Sequence, residues 1–204
     1  MRIFVMGATG GIGRLVLEQA IERGHFMSAY VRSPEKVKLR HERLMVCGGD
    51  SRDAEGITKN LPGHEAIICS VGHKSSADTT LLQDSARAII QAMMQTNVRR
   101  VLVVSVAFLF PETGVPGALL RKVFLRSTGK DAAAMEGILM REPLDWTIVR
   151  PPRLTNGGRT GQYRVLDGHL PKRGFVISRA DVADFLLNET EQPKHIRQIV
   201  GVCK

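Results

Sequence analysis

Residues 1–13 read MRIFVMGATGGIG, and this stretch decides the fold. Residues 3–5 form an apolar run with no polar interruption, and three glycines follow it at Gly-x-x-Gly-x-x-Gly spacing. Residues 15–22 then carry a helical periodicity that stops at Gly24. This order predicts a buried strand, a glycine-rich turn and a helix.

Each glycine of the turn has its own physical task. Gly7 permits the tight turn, Gly10 lets the backbone approach a diphosphate with no Cβ in the way, and Gly13 allows close packing of helix on strand. The helix N-terminus, with unpaired N–H groups and partial positive charge, favours an anion. We therefore predict the phosphate-binding turn of a dinucleotide fold; the alternative is a glycine turn without a ligand. The predicted contacts here are Gly7, Thr9, Gly10, Gly11, Ile12 and Gly13.

Length and composition indicate one domain over residues 1–204, with a cofactor half at about 1–105 and substrate-side elements at about 106–204. The three cysteines lack C-x-x-C spacing, which favours free thiols in a reducing compartment. The chain starts directly with a core strand, and its longest apolar run, 101–110, is too short to cross a bilayer. We expect a cytoplasmic protein without a membrane span.

The net charge of +9 raises the question of nucleic-acid binding. The basic residues are scattered along the chain, without interleaved aromatic residues or a helix-turn-helix pattern. We therefore expect a small anionic ligand rather than nucleic acid.

Strands and helices alternate along the rest of the chain. The predicted strands are 26–31, 44–47, 65–70, 100–105, 145–149, 162–166, 175–177 and 196–202. The predicted helices are 53–60, 77–96, a stretch near 118–125, 130–140, and one from an N-cap at Ser178 to about Asn188. The strands are apolar on both faces, which indicates an α/β fold: a single doubly wound parallel sheet with a small C-terminal substrate-side segment. Its ligand is expected beyond the carboxyl ends of the strands.

The end of the second strand indicates which dinucleotide binds. An acidic residue at this point binds the ribose hydroxyls of NAD(H), whereas arginine pairs with the 2′-phosphate of NADP(H). This chain has Arg32 here, with Ser33 and Lys36 nearby, so we predict NADP(H) in preference to NAD(H). The alternative is a solvated surface arginine. Asp50 is the expected partner of the adenine amino group, with Ser51 beside it.

Further cofactor contacts are expected where the central strands end. The residues in question are Ser70, Val71, Gly72, Ser105 and Pro151. His73 follows Gly72 and is predicted to be a solvated loop histidine rather than a neighbour of the cofactor.

Several common catalytic devices are missing from the sequence. Neither Tyr30 nor Tyr163 has a lysine four residues later, so there is no Tyr-x-x-x-Lys acid/base pair. There is also no Gly-x-Ser-x-Gly elbow, no Walker lysine and no metal-spaced set of His and Cys residues. We expect no metal site.

Several motifs, taken in order, resemble those of atypical short-chain dehydrogenase/reductases. Within that group, the chain is similar to flavin reductases, biliverdin-IXβ reductases and NmrA-like NAD(P)-binding proteins. The motifs are GATGGIG at 7–13, YVRS at 30–33, GD at 49–50, SVAFLF at 105–110, LDWTIVRPP at 144–152, GQYR at 161–164 and ISRADV at 177–182.

The resemblance implies an NADPH-dependent reductase that transfers hydride to a flavin, quinone or tetrapyrrole. FMN or FAD would then be a substrate rather than a tightly bound group. Ser105 and Arg153 are the candidate catalytic residues, and the candidate substrate pocket consists of Phe108, Leu109, Phe110 and Arg153. Packing under the 111–117 loop is the alternative for the phenylalanines. Two residues depart from the reductase pattern: Val106 stands where the family has serine, and Arg153 where it has histidine.

Two other functions stay open on the sequence. One is a catalytically silent NADP(H)-binding sensor of the NmrA type, which acts through partner proteins. The other is a sugar epimerase or dehydratase, which the missing tyrosine disfavours. In each case we expect a monomer or a small homo-oligomer that binds a small planar or anionic molecule.

Overall fold

The computed structural model describes residues 1–73, 78–113 and 128–204. In this part of the chain the strands are β1 Arg2–Met6, β2 Phe26–Val31, β3 Leu44–Gly48, β4 Ala66–Cys69, β5 Arg100–Val104, β6 Asp145–Arg150, β7 Arg153–Thr155, β8 Arg164–Asp167, β9 Val176–Ser178 and β10 Gln198–Cys203. The α-helices are α1 Gly11–Glu22, α2 Ala54–Asn60, α3 Leu81–Thr96, α4 Thr128–Leu139 and α5 Arg179–Glu191. The helical stretch predicted near 118–125 lies outside the described residues.

The central sheet has eight strands in the order β3-β2-β1-β4-β5-β6-β10-β8. Every neighbouring pair is parallel except β10 and β8, so the predicted doubly wound sheet is confirmed with an antiparallel strand at one edge. The strand order reverses between β1 and β4, and a cleft opens beyond the carboxyl ends of the strands at such a switch point.

Two apolar cores cover the two faces of this sheet. Helices α1 and α5 pack on one face and contact each other, and the Gln19 side chain donates to the Ala180 carbonyl at 2.9 Å. Helices α2, α3 and α4 pack on the other face, where Trp146 is buried as expected of a core residue. Burial of both faces explains why the strands read as unbroken apolar runs.

Helix α5 begins after Ser178, the N-cap residue that the sequence predicts. The Ser178 hydroxyl accepts the Asp181 N–H at 2.9 Å. The Asp181 carboxylate also accepts the N–H groups of Thr160 at 2.7 Å and Gly161 at 3.0 Å. One carboxylate therefore joins the beginning of a helix to the 156–161 loop, and these backbone bonds hold the pKa of Asp181 below its usual value although burial opposes this.

Helix α3 begins later than the sequence predicts, at Leu81 rather than at about 77. Its Thr80 N-cap makes no side-chain hydrogen bond. Instead the Asp131 carboxylate, from α4, accepts the N–H groups of Leu82 at 2.7 Å and Gln83 at 3.1 Å. A cap supplied by a remote helix leaves no local signal in the sequence.

Other differences are small. The short strand β7 was not predicted; it pairs in parallel with β9 as a separate two-stranded sheet. Helix α5 continues to Glu191, beyond the predicted end at about Asn188. Among the described residues, none of the helices combines the length and apolar character that a bilayer crossing requires.

Candidate functional site

A cleft lies at the carboxyl ends of β1, β2, β3 and β4, as expected for this sheet order. Nine of the predicted contact residues line it: Gly7, Thr9, Gly10, Arg32, Ser33, Ser51, Ser70, Val71 and Gly72. Four residues that were not among the predicted contacts also line it, namely Tyr30, Val31, Gly49 and Leu81. The cleft thus joins the glycine turn to the ends of β2, β3 and β4.

The glycine turn is shaped by close backbone contacts. Gly7 has φ +80°, and a Cβ added there would lie 2.6 Å from the Ser70 carbonyl. A Cβ on Gly13 would lie 2.3 Å from the Gly7 oxygen, whereas one on Gly10 would meet only that oxygen, at 3.1 Å. Gly7 and Gly13 are therefore required by packing, and Gly10 instead leaves one side of the turn open.

The N-terminus of α1 is available to an anion. Gly10 is its N-cap residue, and no side chain of the described residues caps the helix. The first N–H groups of α1, at Gly11, Ile12 and Gly13, follow Gly10, which lines the cleft. These three residues do not themselves line the cleft.

At the end of β2 the Arg32 guanidinium is exposed, and within the described ranges it forms neither a hydrogen bond nor an ion pair. Ser33 lies next to it along the same wall. Lys36 is exposed on the short helical turn Pro34–Lys36 and does not line the cleft. A phosphate that enters this end would therefore meet one unpaired arginine.

Asp50 stands in the chain between Gly49 and Ser51, which line the cleft, but does not line it itself. Its carboxylate accepts the Arg52 N–H at 2.9 Å and its Nε–H at 3.2 Å. Burial opposes ionisation, but these hydrogen bonds outweigh it and hold the pKa of Asp50 below its usual value. The Ser51 hydroxyl accepts from Ser85 of α3 at 2.8 Å.

His73 is not the solvated loop histidine that we predicted. Its side chain is 8% exposed, and its Nε2 lies 3.0 Å from an Asp131 carboxylate oxygen. The prediction was wrong because Asp131 is on α4, and only the folded chain brings that helix to the end of β4. Asp131 therefore joins the 70–73 turn, α3 and α4.

Ser105, the candidate catalytic serine, is buried and does not line the cleft. Its hydroxyl donates to Glu136 at 2.5 Å, and the Arg150 Nε–H donates to the same carboxylate at 3.0 Å. All three side chains are buried. Because the Ser105 hydroxyl donates its proton to Glu136, it can only accept a hydrogen bond from a ligand.

The aromatic and aliphatic residues of the candidate substrate pocket lie partly in the core and partly at the surface. Phe110 is 1% exposed, and the Arg150 guanidinium lies over its ring at 4.6 Å from the centroid. Phe108 is 42% exposed, and Leu109 is partly buried. Phe110 therefore packs in the interior, as the alternative to a pocket role predicted. Residues 114–117 of the loop under which it was predicted to pack lie outside the described residues.

The two remaining candidates lie after β6. Pro151 is buried, and its carbonyl accepts the Ala107 N–H at 3.1 Å, which ties the ends of β5 and β6 together. Arg153 is exposed on β7, and its guanidinium forms no hydrogen bond or ion pair with the described residues. Neither residue lines the cleft.

A family model described as NAD(P)H-binding matches residues 7–193. This chain belongs to the NAD(P)H-binding family. The match begins at Gly7 and runs through the ISRADV segment and α5, so it includes all of the cleft residues.

The NAD(P)H-binding chain is also similar to individual proteins. The uncharacterized protein YwnB of Bacillus subtilis is 26% identical over 96% of this chain and 94% of its own. A Streptococcus pneumoniae protein named as an NADH-flavin reductase is 24% identical with a TM-score of 0.81, over 100% of this chain and 99% of its own. A short-chain dehydrogenase/reductase from Veillonella parvula, solved with NADP, is 21% identical with a TM-score of 0.80, over 100% and 94%. At these identities the two solved structures support the fold alone.

The residues of this NAD(P)H-binding chain fit a nicotinamide dinucleotide. The open side of Gly10 and the uncapped start of α1 suit a diphosphate. At the adenosine end, the buried Tyr30 hydroxyl has no hydrogen-bond partner among the described residues. The start of α1 and the Arg32 guanidinium are therefore the groups with unused capacity for polar contacts with a ligand, among the described residues.

Sequence reasoning missed two features of the site. Tyr30 lies in the apolar run that leads to Arg32, and its place in the YVRS motif was the available signal. The Ser105, Glu136 and Arg150 cluster had none, because its members come from β5, α4 and β6.

Proposed function

We propose that the protein is an NADPH-dependent reductase of flavins or other planar acceptors of the quinone or tetrapyrrole type. The observation that carries this is the cleft: within the described residues, the helix N-terminus at one end has no side-chain cap and Arg32 at the other has no hydrogen-bond or ion-pair partner. In this proposal the remaining predicted contacts, Lys36, Asp50, Ser105 and Pro151 among them, lie around the same cofactor. The free cysteines support a reducing, cytoplasmic location.

When bound, the dihydronicotinamide supplies a hydride to the acceptor. The α1 N-terminus binds the diphosphate, and Arg32 binds the 2′-phosphate through its planar fork. With Arg32 at the end of β2 holding the 2′-phosphate, the nicotinamide would be held toward β5 and β6, on the other side of the switch point. Phe108, Leu109 and Arg153, at the ends of these strands, are the groups proposed to contact the acceptor.

The protein's contribution to this chemistry is mainly positioning. The Glu136 carboxylate holds Ser105 and Arg150, and Arg150 in turn packs on Phe110. The end of β5 is thereby fixed against α4 and β6. An electron-deficient flavin or quinone can take its proton from water, so the missing tyrosine is compatible with such an acceptor.

The sensor hypothesis is the second candidate, and one observation favours it. Ser105 donates its proton to Glu136, and Arg153 is exposed on β7 and does not line the cleft. Carbonyl reduction of the short-chain dehydrogenase type would therefore have no donor among these candidates. A protein of this kind would bind NADP(H) and act through partner proteins.

A direct assay separates the two functions. Purified protein is mixed with NADPH and FMN, or with NADPH and a quinone, and the nicotinamide absorbance is followed. We expect acceptor-dependent oxidation of NADPH, and a Gly10→Ala variant should lose most of it if the turnover belongs to this protein. Tight NADPH binding without turnover on any acceptor would instead establish the sensor.

Arg32→Ala tests the cofactor preference. Loss of a charge-assisted contact to phosphate is expected to raise the dissociation constant of NADPH by about 10- to 100-fold, because such contacts contribute about 1.5–3 kcal/mol. The dissociation constant of NADH should change less than about twofold, since NADH has no 2′-phosphate. Titration calorimetry measures both constants.

Arg87→Ala is the matched control for Arg32→Ala. Arg87 is also exposed, but it lies on α3 and pairs with Asp84 at 2.9 Å. It should bind both cofactors like the wild type. Equal losses of NADPH and NADH affinity in Arg32→Ala would refute the phosphate contact.

A further inference from the structure

Asp131 contacts two segments of the cleft wall that are remote from it in the sequence. Its carboxylate accepts the N–H groups of the second and third residues of α3, at 2.7 and 3.1 Å, and lies 3.0 Å from the His73 Nε2. Leu81, the first residue of α3, lines the cleft, and so does Gly72, which precedes His73. One side chain of α4 therefore contacts both segments that form the wall after β4.

These two segments have few hydrogen bonds of their own. The Ser70 N–H still donates to the Met6 carbonyl at 3.0 Å and so extends the pairing of β4 with β1. Residues 71–73 form no backbone–backbone hydrogen bond within the described ranges. The Thr80 N-cap of α3 makes no side-chain hydrogen bond. The shape of this wall therefore depends on a contact from α4 rather than on local hydrogen bonds.

The surroundings of Asp131 require a carboxylate. The residue is 1% exposed, and it lies both in the first turn of α4 and at the N-terminus of α3, where the helix dipoles favour negative charge. His73 adds an opposite charge when it is protonated. An asparagine amide would fill the same space, but its NH₂ group would face one of these donors. The arrangement therefore needs both carboxylate oxygens.

The position of this wall indicates which part of a dinucleotide it would contact. Strand β4 lies on the opposite side of β1 from β2. In the binding mode proposed above, Arg32 at the end of β2 holds the 2′-phosphate of the adenosine half. The wall after β4 would then lie along the diphosphate and the nicotinamide half.

We propose that Asp131 is a positioning residue for the diphosphate and nicotinamide half of the bound dinucleotide. It acts through His73 and the start of α3, and it holds Gly72 and Leu81 in place before the ligand arrives. Without it, part of the binding free energy is used to order the wall. This role rests on the binding of a nicotinamide dinucleotide and is independent of the reductase activity.

The test is Asp131→Asn. The affinity for NADP⁺ should fall about five- to thirtyfold, because binding must then order the backbone of about one residue. The affinity for adenosine 2′,5′-bisphosphate, which carries only the adenosine half, should change less than about twofold. Calorimetric titration measures both constants.

Glu189→Gln is the matched control. The Glu189 carboxylate is also buried, accepts the N–H groups of Lys194 at 3.0 Å and His195 at 2.8 Å, and pairs with Arg100 at 3.0 Å. Arg100 is the first residue of β5, so this cluster lies at the end of the sheet opposite the cleft. Both variants should lose about 4–8 °C in Tm. Only Asp131→Asn should lose affinity for NADP⁺.

His73→Leu separates the turn from the helix cap. Leucine has a similar size but makes no polar contact, and the two N–H groups of α3 keep their carboxylate. The affinity for NADP⁺ should fall about three- to tenfold, with a smaller loss in Tm than in Asp131→Asn. The bisphosphate should again bind within about twofold of the wild type.

Two results would overturn the proposal: a folded Asp131→Asn variant that binds NADP⁺ like the wild type, or equal losses for NADP⁺ and the bisphosphate. The first would show that the carboxylate serves only the fold, and the second that the whole cleft has changed. If Asp131→Asn does not fold, His73→Leu is judged by the same two criteria. A wild-type protein that binds NADP⁺ but reduces no acceptor would overturn only the reductase, because the titrations involve no turnover.

Discussion

Glu136→Leu is expected to lower the free energy of unfolding by about 3–5 kcal/mol, the usual cost of leaving one member of a buried ion pair without its partner. The Arg150 side chain is 11% exposed, and it forms an ion pair with Glu136 at 2.5 Å. Without the carboxylate, the guanidinium and the Ser105 hydroxyl both lose a buried acceptor. Urea unfolding of the purified variant measures the loss.

Two further variants test whether the loss of stability comes from the buried ion pair. Glu136→Leu combined with Arg150→Met should recover most of the loss, because an apolar pair of similar volume replaces a buried ion pair at little cost. Glu18→Ala removes the partner of Arg14 in an exposed pair at 3.2 Å and should cost no more than about 0.5 kcal/mol. If Glu136→Leu were no more damaging than Glu18→Ala, the buried cluster would not stabilise the end of β5.

Gly7→Ala is expected to abolish NADP⁺ binding and to lower stability by about 2–5 kcal/mol. The alanine would have to adopt φ +80°, and its Cβ would lie 2.6 Å from the Ser70 carbonyl and 2.7 Å from the Val71 nitrogen. Relief of these contacts requires the ends of β1 and β4 to separate, and both line the cleft. Calorimetric titration and thermal unfolding give the two readouts.

Gly10→Ala is the control that separates packing from ligand contact. Its φ is −83°, and its Cβ would meet only the Gly7 oxygen, at 3.1 Å. Stability should therefore stay within about 1 kcal/mol of the wild type. NADP⁺ affinity should still fall at least tenfold, because the Cβ occupies the approach of the diphosphate. Unchanged affinity in this variant would show that the diphosphate does not approach Gly10.

Elements whose determining residues lie close together in the chain were predicted well from the sequence. The β2 bounds, Phe26–Val31, agree with the prediction, since the apolar run is flanked by Gly24 and by Ser33-Pro34. The Ser178 cap was also predicted, because its partner Asp181 is three residues away. The glycine turn belongs to the same group, because its spacing and its flanking strand and helix are contiguous in the chain.

Features that depend on distant pairs were missed or misread. Ser105 and Glu136 are 31 residues apart, and their contact exists only once α4 lies across the end of β5. His73 looked like a loop residue because its partner Asp131 is on a helix that comes much later in the chain. Strand β7 is three residues long and depends on pairing with β9, so it has almost no pattern of its own.

The way in which Asp181 holds the 156–161 loop has an evolutionary consequence. Its carboxylate binds the backbone N–H groups of Thr160 and Gly161, and these groups are present whatever the side chains are. Side chains elsewhere in this loop, such as Arg159, can therefore mutate while the anchor persists. A lineage could diversify the chemistry of this surface in small steps without first repacking the core.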